Sequence, residues 1–211
     1  MYYNCKILGL AIYSPNHFKV MVADSINYYR WDDLKPTLLN NRVLQPLFYW
    51  LATILLFLFG WKTKGRMPED KKFVIIAAPH SSNWDFVFFL LIIFKFKMSV
   101  HWMGKHTMFN WPFRWILKRL GGIPINRTKR TNVVATMVDA FERSKQLIVT
   151  IAPSGTREKV MTWKTGFYHI ARQAKVPVVC GFIDYKQNII GIGPSLTPTD
   201  DMEADMTFIK T

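Results

Sequence analysis

The run Phe73-Val74-Ile75-Ile76-Ala77-Ala78 is apolar, rich in β-branched residues, and stopped by Pro79. It reads as a buried strand. Ser81, Ser82 and Asn83 follow, all good helix N-caps, and open an apolar stretch that continues to Lys95. A strand that turns within a few residues into a helix commits the chain to an α/β unit, and the same alternation recurs downstream. Strands are expected near Phe73–Ala78, Ser99–Met103, Gly122–Ile125, Leu147–Ala152, Val176–Ile183 and Ile189–Ile192. Helices are expected near Asn83–Lys95, Trp111–Leu120, Asn132–Ser144 and Trp163–Lys175. Such alternation predicts a single layered α/β domain with a largely parallel sheet flanked by helices.

The first strand–helix junction carries His80 and Asp85, five residues apart. On one continuous helix they would point about 140° apart. They meet only if His80 stays in the loop and Asp85 sits in the first helical turn. That arrangement suits a histidine held at one ring nitrogen by a carboxylate, with the other nitrogen free as a base. A capping aspartate beside an unrelated histidine is the plainer reading of the pair taken alone. In parallel sheets ligands gather beyond the carboxyl ends of the strands. That rule brings His80 to Asp85 near Ile125-Asn126-Arg127 and Pro153-Ser154-Gly155-Thr156-Arg157.

Charge and apolar content set the surroundings. The 211 residues carry a formal net charge of +14, so an anionic partner or substrate is expected. No acidic residue lies between Asp85 and Asp139, while Lys95, Lys97, Lys105, Arg114, Lys118, Arg119, Arg127, Lys129 and Arg130 fall there. Phe94, Phe96, Trp102, Phe109, Trp111, Phe113 and Trp115 are interleaved with them. Cations with aromatics suit single-stranded nucleic acid or an anionic membrane surface. No nucleic-acid-binding signature is present, so the membrane is favoured and no nucleic-acid partner is expected. Cys5 and Cys180 form neither a disulfide framework nor a metal spacing, which points to a reducing compartment and no metal. The first forty residues show no secretory signal.

Val43 to Trp61 contains no charged residue and is flanked by Arg42 and by Lys62-Thr63-Lys64. Nineteen helical residues reach about 28 Å, barely a hydrocarbon core, and Gln45 and Pro46 shorten the usable part. A helix lying in one leaflet is favoured over a full span, with a buried core helix as the third reading. The organisation expected is an N-terminal segment of no assigned role (1–42), a membrane-associating helix (43–61) and a catalytic domain (62–211).

Four blocks now stand in order: His80-xxxx-Asp85, Gly121-Gly122-Ile123-Pro124-Ile125-Asn126-Arg127, Ala152-Pro153-Ser154-Gly155-Thr156-Arg157 and Val176-Pro177-Val178-Val179. They resemble the glycerolipid acyltransferase family, typified by lysophosphatidate acyltransferases, over roughly residues 43 to 208. Gly104-Lys105-His106 and the stretch Trp163 to Ala171 look like its short bacterial members. One departure stands out: the third block usually reads Glu-Gly-Thr-Arg, and Ser154 occupies the place of the Glu.

The resemblance implies acyl transfer from an acyl thioester, carried on coenzyme A or acyl carrier protein, to a lysophospholipid hydroxyl. The expected acceptor is 1-acylglycerol-3-phosphate, giving phosphatidic acid, with another lysolipid as the alternative. A non-catalytic protein binding anionic lipid or nucleic acid is the rival from another class. His80 would be the general base, with Asp85 holding its tautomer and stabilising the imidazolium. Arg127 and Arg157 would clamp the acceptor phosphate, because a guanidinium grips it through two hydrogen bonds, and Lys105 is a third cation. Gly155 and Thr156 would belong to the oxyanion or acceptor loop. A thiolate is already a good leaving group, so no covalent acyl-enzyme is needed and Ser154 is not read as a nucleophile. No cofactor is implied beyond the thioester co-substrate, and the expected place is the cytoplasmic face of a membrane. Oligomeric state is left open. Asp184 and Tyr185 read as the structural close of a strand, and Asp200, Asp201, Glu203 and Asp205 as a solvated helix end.

Overall fold

Phe73 and Ile75 point to one side of their strand and Val74 and Ile76 to the other, and all four are buried. A strand covered on both faces belongs inside a layered α/β sheet. The computed structural model describes residues 37–38, 41–78, 82–126, 133–156, 160 and 162–210. The strands among them are β1 (Lys62–Lys64), β2 (Lys72–Ala77), β3 (His101–Lys105), β4 (Gly122–Ile125), β5 (Leu147–Ile151), β6 (Val178–Asp184) and β7 (Ile189–Leu196). The helices are α1 (Leu44–Leu58), α2 (Trp84–Lys95), α3 (Arg114–Arg119), α4 (Val133–Arg143), α5 (Gly166–Ala174) and α6 (Met202–Lys210), with a 3₁₀ turn at His106–Met108.

The seven strands form one sheet in the order β1-β7-β6-β2-β5-β3-β4. Strand β2 runs parallel to β5 and β6, and β3 parallel to β5 and β4. The β6–β7 hairpin is antiparallel, and β1 pairs parallel with β7 at the edge. The largely parallel α/β sheet expected from the alternation is what forms. Helices α1 and α2 cover the face of Phe73, Ile75 and Ile148, while α4, α5 and α6 cover that of Val74, Ile76 and Val149. The carboxyl ends of β2, β5, β3, β4 and β6 therefore share one edge. Gly121 turns the chain into β4 with φ +82°, where a Cβ would lie 2.3 Å from the Val100 carbonyl oxygen. That is why the double glycine precedes this strand.

Two expectations are corrected. The 43–61 segment forms a shorter helix, Leu44–Leu58, ended by the turn through Phe59 and by Gly60 with φ +70°. No helix among the described residues is long and apolar enough to cross a membrane. Nor is α1 an appendage to the domain: Ala52 and Leu56 are buried in the core beneath it. Phe48 stacks on Phe94 of α2 at 4.7 Å, and Lys95 Nζ donates to Thr53 Oγ1 at 2.9 Å. The opposite stripe, with Leu47, Trp50, Ile54 and Phe57, is exposed. Packing against α2 thus consumes only one side of a helix that is apolar all round.

The acidic C-terminal stretch is not simply solvated. Asp201 caps α6, accepting from the Glu203 and Ala204 N–H groups, and Asp200 pairs with Arg172. Asp205 is only 4% exposed, and one of its oxygens accepts from Tyr168 Oη at 2.7 Å and from the N–H (2.7 Å) and Oγ1 (3.0 Å) of Thr199. The carboxylate ties α6, α5 and the segment after β7 into one knot, which an exposed charge run in the sequence does not announce.

Candidate active site

Asp85 is the second residue of α2 and is 4% exposed. A carboxylate buried this deeply needs partners on both oxygens. Its Oδ2 accepts the Ser82 N–H at 2.8 Å, and its Oδ1 accepts the Tyr185 hydroxyl. Ser82 Oγ in turn accepts the Trp84 N–H at 3.2 Å. The expected capping is therefore rearranged: the Asn83 side chain makes no capping bond at the N-cap, and a helix residue reaches back to hold Ser82 before it. Asp85 is in the first helical turn, as a His80–Asp85 pairing requires. His80 itself lies outside the described residues, as do Arg127 and Arg157.

A cavity of about 650 Å³ opens beside Asp85. Its apolar wall is formed by Ile75, Phe88 and Ile92 of β2 and α2, by Met98 and Trp102, and by Ile190 and Ile192 of β7. Its polar lining comes from Ser82, Asn83, Asp85, Lys105, Thr107, Gly155 and Thr156, most of them in loops at the carboxyl edge. Thr150 Oγ1, also on this wall, is buried without a hydrogen-bond partner among the described residues. The volume is that of a small-molecule site, and the chemistry is that of an apolar chain attached to a polar head. Lys105, Gly155 and Thr156 all reach the cavity, so three sequence-selected residues share one space with Asp85.

The third block forms a tight turn. Gly155 has φ +64°, and Lys164 crosses it closely enough that a Cβ there would sit 3.2 Å from Nζ. The Lys164 N–H donates to the Pro153 carbonyl oxygen at 2.9 Å, which seats the stretch before α5 on the turn. Ser154 Oγ donates to the Thr156 carbonyl oxygen at 2.8 Å, a bond inside the turn, and Ser154 does not line the cavity.

Other histidines are placed elsewhere. His169 is an exposed residue of α5, and His101 is buried in β3, where burial lowers its pKa to about 4. No group of three or more metal-ligating side chains occurs among the described residues. Tyr185 is the residue that sequence reasoning missed. Strand β6 runs three residues past Gly181, the partner of Ala77 at the end of β2, and so carries Tyr185 to the start of α2. The carboxyl-edge rule, applied to β6 as it was to the other strands, would have pointed to it.

A family model described as acyltransferase matches residues 62–183, from β1 into β6. The chain belongs to the acyltransferase family, and the resemblance carried by its four blocks stands. It is an acyltransferase. Among solved structures, the 1-acyl-sn-glycerophosphate (LPA) acyltransferase PlsC from Thermotoga maritima shares the fold, with a TM-score of 0.57 and 18% identity. The likeness covers 79% of this chain and 75% of that one. No curated protein matches the sequence significantly.

Proposed function

We propose that this acyltransferase moves an acyl group from a thioester, on coenzyme A or acyl carrier protein, to the hydroxyl of 1-acylglycerol-3-phosphate, giving phosphatidic acid. The carrying observation is the buried carboxylate of Asp85, fixed through both oxygens at the polar side of a mostly apolar cavity. A fixed carboxylate orients a base, and the apolar wall accepts an acyl chain. In this reading His80 takes the hydroxyl proton as the oxygen attacks the thioester carbon. Asp85 keeps the imidazole in the right tautomer and stabilises the imidazolium. The carbonyl oxygen becomes an oxyanion, and the thiolate leaves with the electron pair of the broken C–S bond and then takes up a proton. Lys105, at the cavity, and the two arginines Arg127 and Arg157 supply charge for the acceptor phosphate. Gly155 and Thr156 belong to the acceptor loop. The exposed apolar stripe of α1 and the exposed Trp111, Phe113 and Trp115 support a place on the surface of an anionic bilayer, at the cytoplasmic face.

A second acceptor is favoured by one observation. Ser154 stands where the family pattern has Glu and turns its hydroxyl into its own loop, so no carboxylate occupies that position. A bulkier or more anionic lysolipid than lysophosphatidate fits such a site. The test is thiol release from acyl-CoA with a panel of lysolipids at fixed donor. The proposal expects release that depends on an added lysolipid, fastest with 1-acylglycerol-3-phosphate. A panel led by another lysolipid would replace the acceptor, and release independent of any lysolipid would refute the transfer.

A further inference from the structure

The Tyr185 hydroxyl donates to Asp85 from the turn that follows β6, one hundred residues along the chain. Its ring is held edge-on by Trp61, at 5.4 Å between centroids, and by Phe88, at 5.8 Å, and those two rings pack on each other at 4.1 Å. Trp61 is the last of the three residues between α1 and β1, and its N–H donates to the Leu56 carbonyl oxygen of α1 at 2.8 Å. Three aromatic rings from three separate segments thus pack together, and the hydroxyl of one of them, Tyr185, is aimed at the carboxylate. Tyr185 is 44% exposed, yet burial around the hydroxyl and then its bond to Asp85 hold it protonated well above the usual tyrosine range, so it remains a donor. The Ser82 side chain works against that rise, while Trp61 and Phe88 bring no charge.

We infer that Tyr185 is a positioning residue of the transfer reaction, seated by Trp61 and acting through Asp85. Ser82 fixes one carboxylate oxygen from the loop side, and Tyr185 fixes the other from the β6 side. Rotation of the carboxyl group about its own bond is thereby prevented. The seat comes from the exit of α1, so the helix with the exposed apolar stripe is mechanically joined to the carboxylate that orients the base. The inference rests on the proposed His80–Asp85 chemistry. Tyr185 itself lies beyond the stretch that matches the family model.

Tyr185→Phe removes the hydroxyl and keeps the ring among its neighbours. Assayed on the full chain with acyl-CoA and 1-acylglycerol-3-phosphate, it should lower kcat roughly tenfold, as expected for one lost bond to a charged group. Both KM values should stay within about twofold of wild type. Without its donor the Asp85 carboxylate holds the imidazolium more strongly, so the acid limb of the kcat/KM profile should move to higher pH. Trp61→Leu, which unseats the ring, should lower kcat in the wild type and add nothing in a Tyr185→Phe background. Asp85→Asn, measured alongside, separates the two levels. If it is inactive while Tyr185→Phe keeps wild-type kcat and an unmoved acid limb, the positioning role is overturned and the proposed chemistry survives. If Asp85→Asn keeps wild-type turnover, the chemistry fails and the role of Tyr185 falls with it.

Discussion

The Ser82 backbone N–H donates to Asp85 Oδ2 at 2.8 Å, so a carboxylate in the first turn of α2 holds a residue that lies two positions after His80 in the sequence. Asp85 thus holds Ser82 in place and, in the proposed reaction, would also orient the base. An asparagine oxygen still accepts from Ser82, but the amide does not stabilise an imidazolium or fix its tautomer. Asp85→Asn should keep the melting temperature and lose roughly 10³–10⁴-fold in kcat. Asp85→Ala should lose as much activity and also about 1–3 kcal/mol of stability, because a part-buried N–H loses its acceptor. Thermal unfolding beside steady-state kinetics on both variants checks the division.

The knot at Asp205 is a stability element remote from the site. Burial pulls its pKa up, but the bonds from Thr199 and Tyr168 and the nearby Arg172 outweigh this and hold the carboxyl below its ordinary 3.8. A depressed carboxylate stabilises the fold above the unfolded value and loses that contribution as pH falls through the folded one. The Tyr168 hydroxyl is pushed up to about 12, by burial first and by Asp205 next. Its contribution is full below pH 10.0 and fades as pH rises toward 12. Asp205→Ala should therefore cost roughly 2–4 kcal/mol near neutral pH, with kcat at saturating substrate unchanged. Denaturant unfolding across pH should show the penalty shrinking below about pH 4.

His101 adds a second loss of stability on acidification, at higher pH than Asp205. Burial in β3 lowers its pKa from 6.5 to about 4, and its Nδ1 has no partner among the described residues. Below pH 6.5 the unfolded chain takes up a proton that the folded one refuses, so stability falls between 6.5 and 4. The loss over that interval should be on the order of 2–3 kcal/mol. His101→Leu, which also removes the buried nitrogen, should flatten the slope. A slope that persists in this variant would assign the acid loss to other groups.

How much of this was legible beforehand depends on where the determining contact lies. The strand β2 and helix α2 follow from local apolar runs, and they form within a residue or two of the expected bounds. Strand β1 is Lys-Thr-Lys, all exposed, and exists only because Ile189, Ile190 and Gly191 offer a partner. Nothing within three polar residues signals it. Asp205 looks like its acidic neighbours until Tyr168 and Thr199 arrive from elsewhere in the chain. Tyr185 meets Asp85 through the overhang of β6 beyond β2, a register fact with no local trace. Lys105, Gly155 and Thr156 line one cavity because blocks at strand ends meet by topology, whereas His80, Arg127 and Arg157 lie outside the described residues.

The two sides of α1 should separate in mutants. Trp50→Glu and Phe57→Glu alter residues that are 61% and 80% exposed, so the fold should stand while sedimentation with anionic vesicles falls. Added salt should weaken only the remaining electrostatic part. A chain beginning at Lys62 is expected to lose stability as well as vesicle binding, since it uncovers the core around Ala52 and Leu56. Full binding by the two Glu variants would place the membrane surface elsewhere.

The central claim is a His80-dependent transfer to a lysolipid hydroxyl. Thiol release from acyl-CoA in the presence of 1-acylglycerol-3-phosphate, compared between wild type and His80→Ala at equal folded fraction, tests it most directly. Loss of the general base should lower turnover about 10²–10⁴-fold, with product phosphatidic acid lost in step. A His80→Ala enzyme that keeps more than about a tenth of wild-type turnover would contradict the mechanism.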